Sequence, residues 1–182
     1  MSATMASGSY VFGAVVRLML DGTTHGASGT GATASSSVQP LTTDTPWITL
    51  PSCDKLEMTI EKEFRDVNTV NSGHRVRSAR HHVSTKRTLK GTFNNIDVRI
   101  LQLAFGMASP DGTDESFTVG GGTDKMAWVE AKMYDSTNTL QFTYTAWCRV
   151  AVVDSLTFDD NVVNVSIEFA EVHNSLNKIL TI

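Results

Sequence analysis

Along residues 55–67 apolar and polar side chains alternate. Leu56, Met58, Ile60 and Phe64 fall on one side and Glu57, Thr59, Glu61 and Glu63 on the other, with Lys62 the exception. A period of two with one apolar face predicts a half-buried strand. Residues 83–93 resume strand character. Between the two, residues 68–80, with Asn71-Ser72-Gly73 among them, read as a loop or an extended hairpin tip. Further strands are predicted at 10–20, 47–50, 117–119, 125–134, 139–153 and 162–172, where Val, Ile, Thr and aromatic residues concentrate. Residues 135–138 and 159–161 carry turn chemistry between the last three.

Mid-chain the period changes. Asn94 or Asn95 is a suitable N-cap, Asp97 lies in the first turn where the helix dipole favours it, and Gly106 closes the segment. Ile96, Ile100 and Leu103 form one helical stripe, and Val98, Leu101 and Phe105 form a second. A helix lying on one sheet needs a single stripe, so the second predicts burial inside the domain or contact with a neighbouring subunit. The fold class expected is mainly β: an antiparallel β-sandwich or barrel with one α-helix inserted at about 95–106.

The 182 residues suit a single domain spanning 1–182. Residues 1–9 are small and polar and predict a loose N-terminus. Residues 21–37 (DGTTHGASGTGATASSS) have little side-chain area to offset the cost of ordering, so a flexible Gly/Ser/Thr-rich loop is expected over 21–45. Strands of 11 to 15 residues would run ~35–50 Å, longer than a domain of radius ~16 Å accommodates without strong curvature or projection. With 41% hydrophobic residues and a mean hydropathy of -0.09, the chain can bury a core and contains no run resembling a membrane helix. The first ten residues lack the basic start and apolar centre of a secretory signal, so export by that route is not expected. Two cysteines, Cys53 and Cys148, are too few for a disulfide framework or a zinc site.

The net charge of -4 conceals an uneven distribution. Between Asp66 and Asp97 there is no acidic residue, and that interval holds Arg75, Arg77, Arg80, Lys86, Arg87 and Lys90, six of the 15 basic residues. His74, His81 and His82 join them. An acidic body with one basic segment predicts a charged partner or a complementary copy of the same chain. Direct nucleic-acid binding is disfavoured, because no aromatic residue is interleaved between Phe64 and Phe93 and the isoelectric point is about 5.7.

Catalytic and ligand motifs are absent from the pattern. Adjacent His81 and His82 point to opposite faces of a strand, and no Cys, Asp or Glu lies close to them in sequence, which predicts solvated histidines and no metal site. The glycines at 26–31 and 120–122 are not followed by Gly-Lys-Ser/Thr, and no G-x-S-x-G elbow occurs. Glu61/Glu63 and Asp159/Asp160 are carboxylate pairs, of which the first belongs to a polar strand face. No enzyme activity and no cofactor are therefore expected. A monomeric glycan-binding β-sandwich using Trp47, Trp128 or Trp147 is the alternative to self-assembly. Trp128 and Trp147, inside strands, are expected in the core.

Three features coincide in order: the strand ending EKEFRDV (61–67), the polar stretch after it, and RTLKGTFNNIDVRILQLAFG (87–106) with its helix closed by Leu-Ala-Phe-Gly. With the long strands of 125–172 they resemble the tail tube proteins of tailed bacteriophages, over about residues 10–172. The resemblance implies a structural virion protein of the tail, made in the host bacterial cytoplasm. It implies hexameric rings stacked into a tube beside other tail proteins, whose lumen passes double-stranded DNA without binding it specifically. On this sequence Arg75, Arg77 and Arg80 would contact the adjacent ring, and Val98, Leu101 and Phe105 would pack at a subunit boundary. By alternation alone, Glu57, Glu61 and Glu63 are candidates to face the lumen. No membrane partner is implied.

Overall fold

The computed structural model describes residues 13–26, 31–51, 53–71, 74–94, 125–158 and 163–172. Among them every regular element is a strand: β1 (Gly13–Leu20), β2 (Ile48–Thr49), β3 (Cys53–Asn71), β4 (His74–Phe93), β5 (Lys125–Tyr134), β6 (Leu140–Phe158) and β7 (Val163–Glu171). The helix expected at 95–106, with Val98, Leu101 and Phe105, and the strand expected at 117–119 lie outside the described residues, as do residues 1–9.

The seven strands form one antiparallel sheet in the order β2-β1-β5-β6-β7-β4-β3. β1, near one end of that order, approaches β3 at the other, so the sheet rolls over a single interior. One apolar cluster draws on all seven strands. Val16 and Leu18 of β1, Leu89 and Phe93 of β4, Val129 of β5, and Ile167 and Phe169 of β7 are among its fully covered members, and Leu56 and Met58 of β3 pack on its rim. Phe93 and Phe169 meet edge to face at 6.4 Å, and each covered aromatic of this size contributes roughly 1.5–3 kcal/mol of burial.

Two sequence expectations change here, and one open alternative is decided. Residues 68–80, read as a loop or an extended hairpin tip, take the second form wherever they are described: 68–71 complete β3 and 74–80 begin β4, paired from Asn68↔Arg77 to Asn71↔His74. Cross-strand pairing has overridden the weak β-propensity of the Asn, Ser and Arg residues there. β3 is also only partly the half-buried strand expected. Leu56 and Met58 reach the core, but Ile60 is 53% exposed and Phe64 is exposed beyond it, because the strand outruns the sheet that would cover it.

The second change is at 21–45, which folds as a cap over the outer face of the sheet wherever it is described. Thr24 pairs with Thr33, Gly26 with Thr45, and Ser35 with Val38. Gly22, at φ 80°, makes the turn that sends its N–H to the Ala34 carbonyl at 3.0 Å. Gly31 lies so close to the His25 carbonyl that a Cβ there would sit 2.3 Å from the oxygen. Beneath the cap is a second, smaller apolar cluster of Met19, Ala34, Trp128 and Trp147, with Trp47 and Met126 at its edge. Apart from Ala34, the cap is held mainly through backbone and polar groups, which a search for apolar periodicity does not detect.

Candidate assembly surface

The longest feature of the fold is the β3–β4 hairpin. β4 pairs with β7 only from Thr88↔Ala170 to Phe93↔Val165. From Arg87 back to His74 its one partner among the described strands is β3, a two-stranded ribbon about 45 Å long at the usual ~3.3 Å per residue. Three irregularities interrupt the pairing, at Cys53/Lys55, Glu63/Phe64 and Val67/Asn68. In the latter two the extra residue belongs to β4, Val83 and Ser78. Such bulges add twist and rephase the alternation.

Register assigns the two faces of the ribbon. On the side away from the core, Glu57 stands opposite Lys90, Glu61 opposite Lys86 and Glu63 opposite Ser84. All three glutamates are exposed. Lys55 holds Glu57 at 2.8 Å, and that hydrogen bond lowers the Glu57 pKa. Ser84 donates its hydroxyl to Glu63 at 3.1 Å. On the other side, continuing the row of Leu56 and Met58, come Ile60, Phe64 and Asp66, opposite Arg87, His82 and Arg80.

Beyond the bulge at Val83 this second face is built around Phe64. The Arg80 guanidinium lies over the Phe64 ring at 4.6 Å, and the His82 ring meets it edge-on at 5.6 Å. His82 is itself held by the Thr85 hydroxyl at 2.7 Å. Asp66 forms ion pairs with both Arg80 at 3.4 Å and Arg77 at 3.7 Å. Arg75 stands opposite Val70 in the backbone register. Nearer the body, Arg87 donates to both oxygens of Glu171 on β7 at 3.1 and 3.2 Å, pinning the ribbon where it leaves the sheet.

Exposed large apolar side chains concentrate on this ribbon: Ile60, Phe64, Val67 and Val83, the last 54% exposed. An isolated two-stranded ribbon is marginal in water, and exposed apolar residues gathered along one mark an interaction surface.

The tryptophans are committed elsewhere. Trp128 and Trp147 meet at 5.6 Å between ring centroids, tilted by 58°, in the buried outer cluster, and Trp128 donates its indole N–H to the Ser35 carbonyl at 2.8 Å. Trp47 lies under the Arg17 guanidinium at 4.9 Å and donates to the Leu41 carbonyl at 3.0 Å. All three fasten the cap to the sheet.

The cap also holds a buried His25–Asp44 contact of 2.7 Å between His Nδ1 and the carboxylate, which the sequence reading missed because the two residues are 19 apart with no motif between. The His25 Nε2 atom is buried without a hydrogen-bond partner. Among the described residues no group of three or more His, Cys, Asp or Glu is arranged to hold a metal ion.

No protein-family model matches the chain, and no curated protein matches it. Among solved structures it is similar to a chain of the anti-feeding prophage (AFP) baseplate, determined by cryo-EM with 6-fold symmetrisation. The identity is 12% over 93% of this chain and 95% of that one, with a TM-score of 0.47. A likeness this distant assigns no role.

Proposed function

We propose that this protein is a non-catalytic structural subunit of a phage tail-type particle that assembles with copies of itself, as rings stacked into a tube that conducts the genome. The observation that carries the reading is the β3–β4 ribbon, which leaves the sheet at Arg87 with Ile60, Phe64, Val67 and Val83 exposed along it. Exposed apolar surface on a projecting ribbon is stabilised when a neighbour covers it, and identical subunits related by rotation provide such a neighbour at every position of a closed ring. Among the described strands β3 stands at one end of the sheet, a position from which a sheet can be extended into the next subunit. Glu57, Glu61 and Glu63, grouped on the face away from the core, remain the candidates to line a lumen, where negative charge lets a duplex slide. Arg75, Arg77 and Arg80 lie on the ribbon's outer half, where a subunit of the next ring could be met. A glycan-binding role for the tryptophans gains no support, because each is engaged by the cap.

The test is a shortened ribbon. Residues 64–83 are replaced by Asn-Gly, closing the hairpin after the Glu63↔Ser84 pair and leaving every core residue of β3 and β4 in place. The full chain should form rings or tubes by electron microscopy and mass measurement. The shortened chain should fold with the same near-ultraviolet dichroism and stay monomeric. Rings from the shortened chain, or a full-length chain that stays monomeric at every concentration, would refute the reading.

A further inference from the structure

Resting on that reading, we infer that the Arg87–Glu171 ion pair is the positioning contact of the ribbon: it fixes the direction in which β3 and β4 leave the sheet, and so presents an already oriented arm to the next subunit. The junction is where backbone pairing gives out. β4 and β7 are in register from Phe93↔Val165 to Thr88↔Ala170, and Arg87 and Glu171 are the next residue on each strand. β7 ends at Glu171, which β6 holds from the other side through the Cys148↔Glu171 pair. Apolar packing stops at the same level. Met58, opposite Leu89, still packs on the core, whereas Ile60, opposite Arg87, is exposed. Among the described residues the ion pair therefore stands where both the ladder and the core end. Two-stranded ribbons twist more than wider sheets do, and length magnifies any error at the base. A rotation of about ten degrees at Arg87 moves the tip of a ~45 Å ribbon by about 8 Å, twice the ~4 Å over which side chains touch.

A guanidinium and a carboxylate suit this task because charge-assisted hydrogen bonds are both strong and directional. One terminal nitrogen of Arg87 donates to both Glu171 oxygens, at 3.1 and 3.2 Å. The two side chains are only 24% and 20% exposed, so solvent and salt screen the pair less than they would at the surface. Glu171 also lies near the buried Tyr144 hydroxyl and Cys148 thiol, which are hydrogen-bonded to each other. Burial raises the pKa of both above the ordinary values, and the Glu171 charge raises them further. Both groups stay neutral at ordinary pH and neither answers that charge, whereas Arg87, on the ribbon, does. An arm held in one direction loses less freedom on docking, which strengthens association without adding a contact.

The test compares R87M, E171Q and the conservative R87K with the wild-type full-length chain. Fluorophores are placed at the exposed Asn68 and Ser136 positions through Asn68→Cys and Ser136→Cys in a C53S background, where the fully covered Cys148 stays unlabelled. Energy transfer is read from single molecules, a dilution at which the chain is monomeric. Wild type should give one narrow distance distribution, R87M and E171Q should broaden or shift it, and R87K should restore it. Unlabelled R87M and E171Q should need about tenfold higher concentration to assemble, equivalent to about 1.4 kcal/mol, with R87K close to wild type. Near-ultraviolet dichroism of the tryptophans should match throughout, which separates a redirected ribbon from a disrupted body. Wild-type distances in both R87M and E171Q would overturn the inference, and so would altered distances with unchanged assembly. A wild-type chain that never assembles removes the proposed function itself, while altered distances in the two variants would still assign the ribbon's direction to this contact.

Discussion

Arg17 of β1 reaches across to Glu130 of β5, donating from Nε to the carboxylate at 2.9 Å and again from its terminal nitrogen. The Glu130 side chain has no solvent exposure. Lys132 approaches the same oxygen at 3.3 Å, and Arg17 also donates to the Thr42 carbonyl at 2.9 Å, so one guanidinium joins the outer face of the sheet to the cap. Removing one member of such a pair strands a buried charge, which typically costs about 3–5 kcal/mol, whereas replacing both by apolar groups costs far less. Arg17→Met should therefore lower the unfolding free energy by about 3 kcal/mol, the lower end because Lys132 remains. The double variant R17M/E130L should recover most of that loss. Urea titration measures both, and a single-variant loss under about 0.5 kcal/mol would mean the network contributes little.

Asp44 makes the cap sensitive to acid. Its carboxylate accepts the Leu41 backbone N–H at 2.8 Å, the larger influence, and the His25 ring at 2.7 Å, and together these hold its pKa below the ordinary value. A depressed carboxyl pKa contributes stability that is fully present above the unfolded value, ~3.9, and is lost as pH falls through the folded one. The cap should loosen over that acid interval. Fluorescence and near-ultraviolet dichroism of Trp47 and Trp128, both hydrogen-bonded to cap carbonyls, follow it directly. In Asp44→Asn the cap should be weaker at neutral pH, and this part of the acid transition should flatten. An unchanged acid profile in that variant would remove Asp44 from the account.

Alternation located the faces of β3 correctly but could not say whether anything covered them. Leu56 and Ile60 look equivalent in sequence, yet one packs on the core and the other projects, because β7 pairs with β4 only as far as Thr88↔Ala170. Where a neighbouring strand stops is a tertiary fact without a local signature. The cap was illegible for a different reason. Its order comes from backbone bonds such as His25 to Ala32 at 2.9 Å and from arginine and tryptophan side chains donating to its carbonyls, so its Gly/Ser/Thr composition resembles that of an unstructured linker. The 135–138 turn was legible because its chemistry is local. Asp135 accepts the backbone N–H groups of Thr137 and Thr139, both at 2.9 Å, and Asn138 takes the left-handed conformation at φ 59°.

The two cysteines should separate cleanly by reactivity. Cys148 is fully covered in the core, and burial, with the nearby Glu171 carboxylate adding to it, pushes its thiol pKa up to about 12. Cys53 is half-buried at the start of β3, donating to the Lys55 carbonyl at 3.2 Å. Only thiolate reacts with a disulfide reagent, so at pH ~8 the folded protein should release about one equivalent, from Cys53, and the second only on unfolding. Cys53→Ser should abolish the native-state reaction. Two equivalents from the folded wild type would contradict the burial of Cys148.

Gly91 is where β4 has no room for a side chain. A Cβ there would sit 2.6 Å from the ring of Phe93, two residues along the same strand. The clash is with the far end of a side chain, so the ring's freedom to move decides the outcome. Phe93 has no exposure and is held edge-on by Phe169 at 6.4 Å, while Leu56 also closes on the Gly91 position at 3.4 Å. With neighbours on both sides the ring cannot swing away without disturbing the centre of the core. Gly91→Ala should therefore destabilise by about 1–3 kcal/mol, the usual cost of overpacking, although alanine ordinarily suits a strand better than glycine. Shortening the ring removes the clash, so G91A should cost less in a Phe93→Leu background than in wild type, and a thermodynamic cycle by urea titration reads that difference. Equal costs in the two backgrounds would show that the Phe93 ring is not what forbids a side chain at this position.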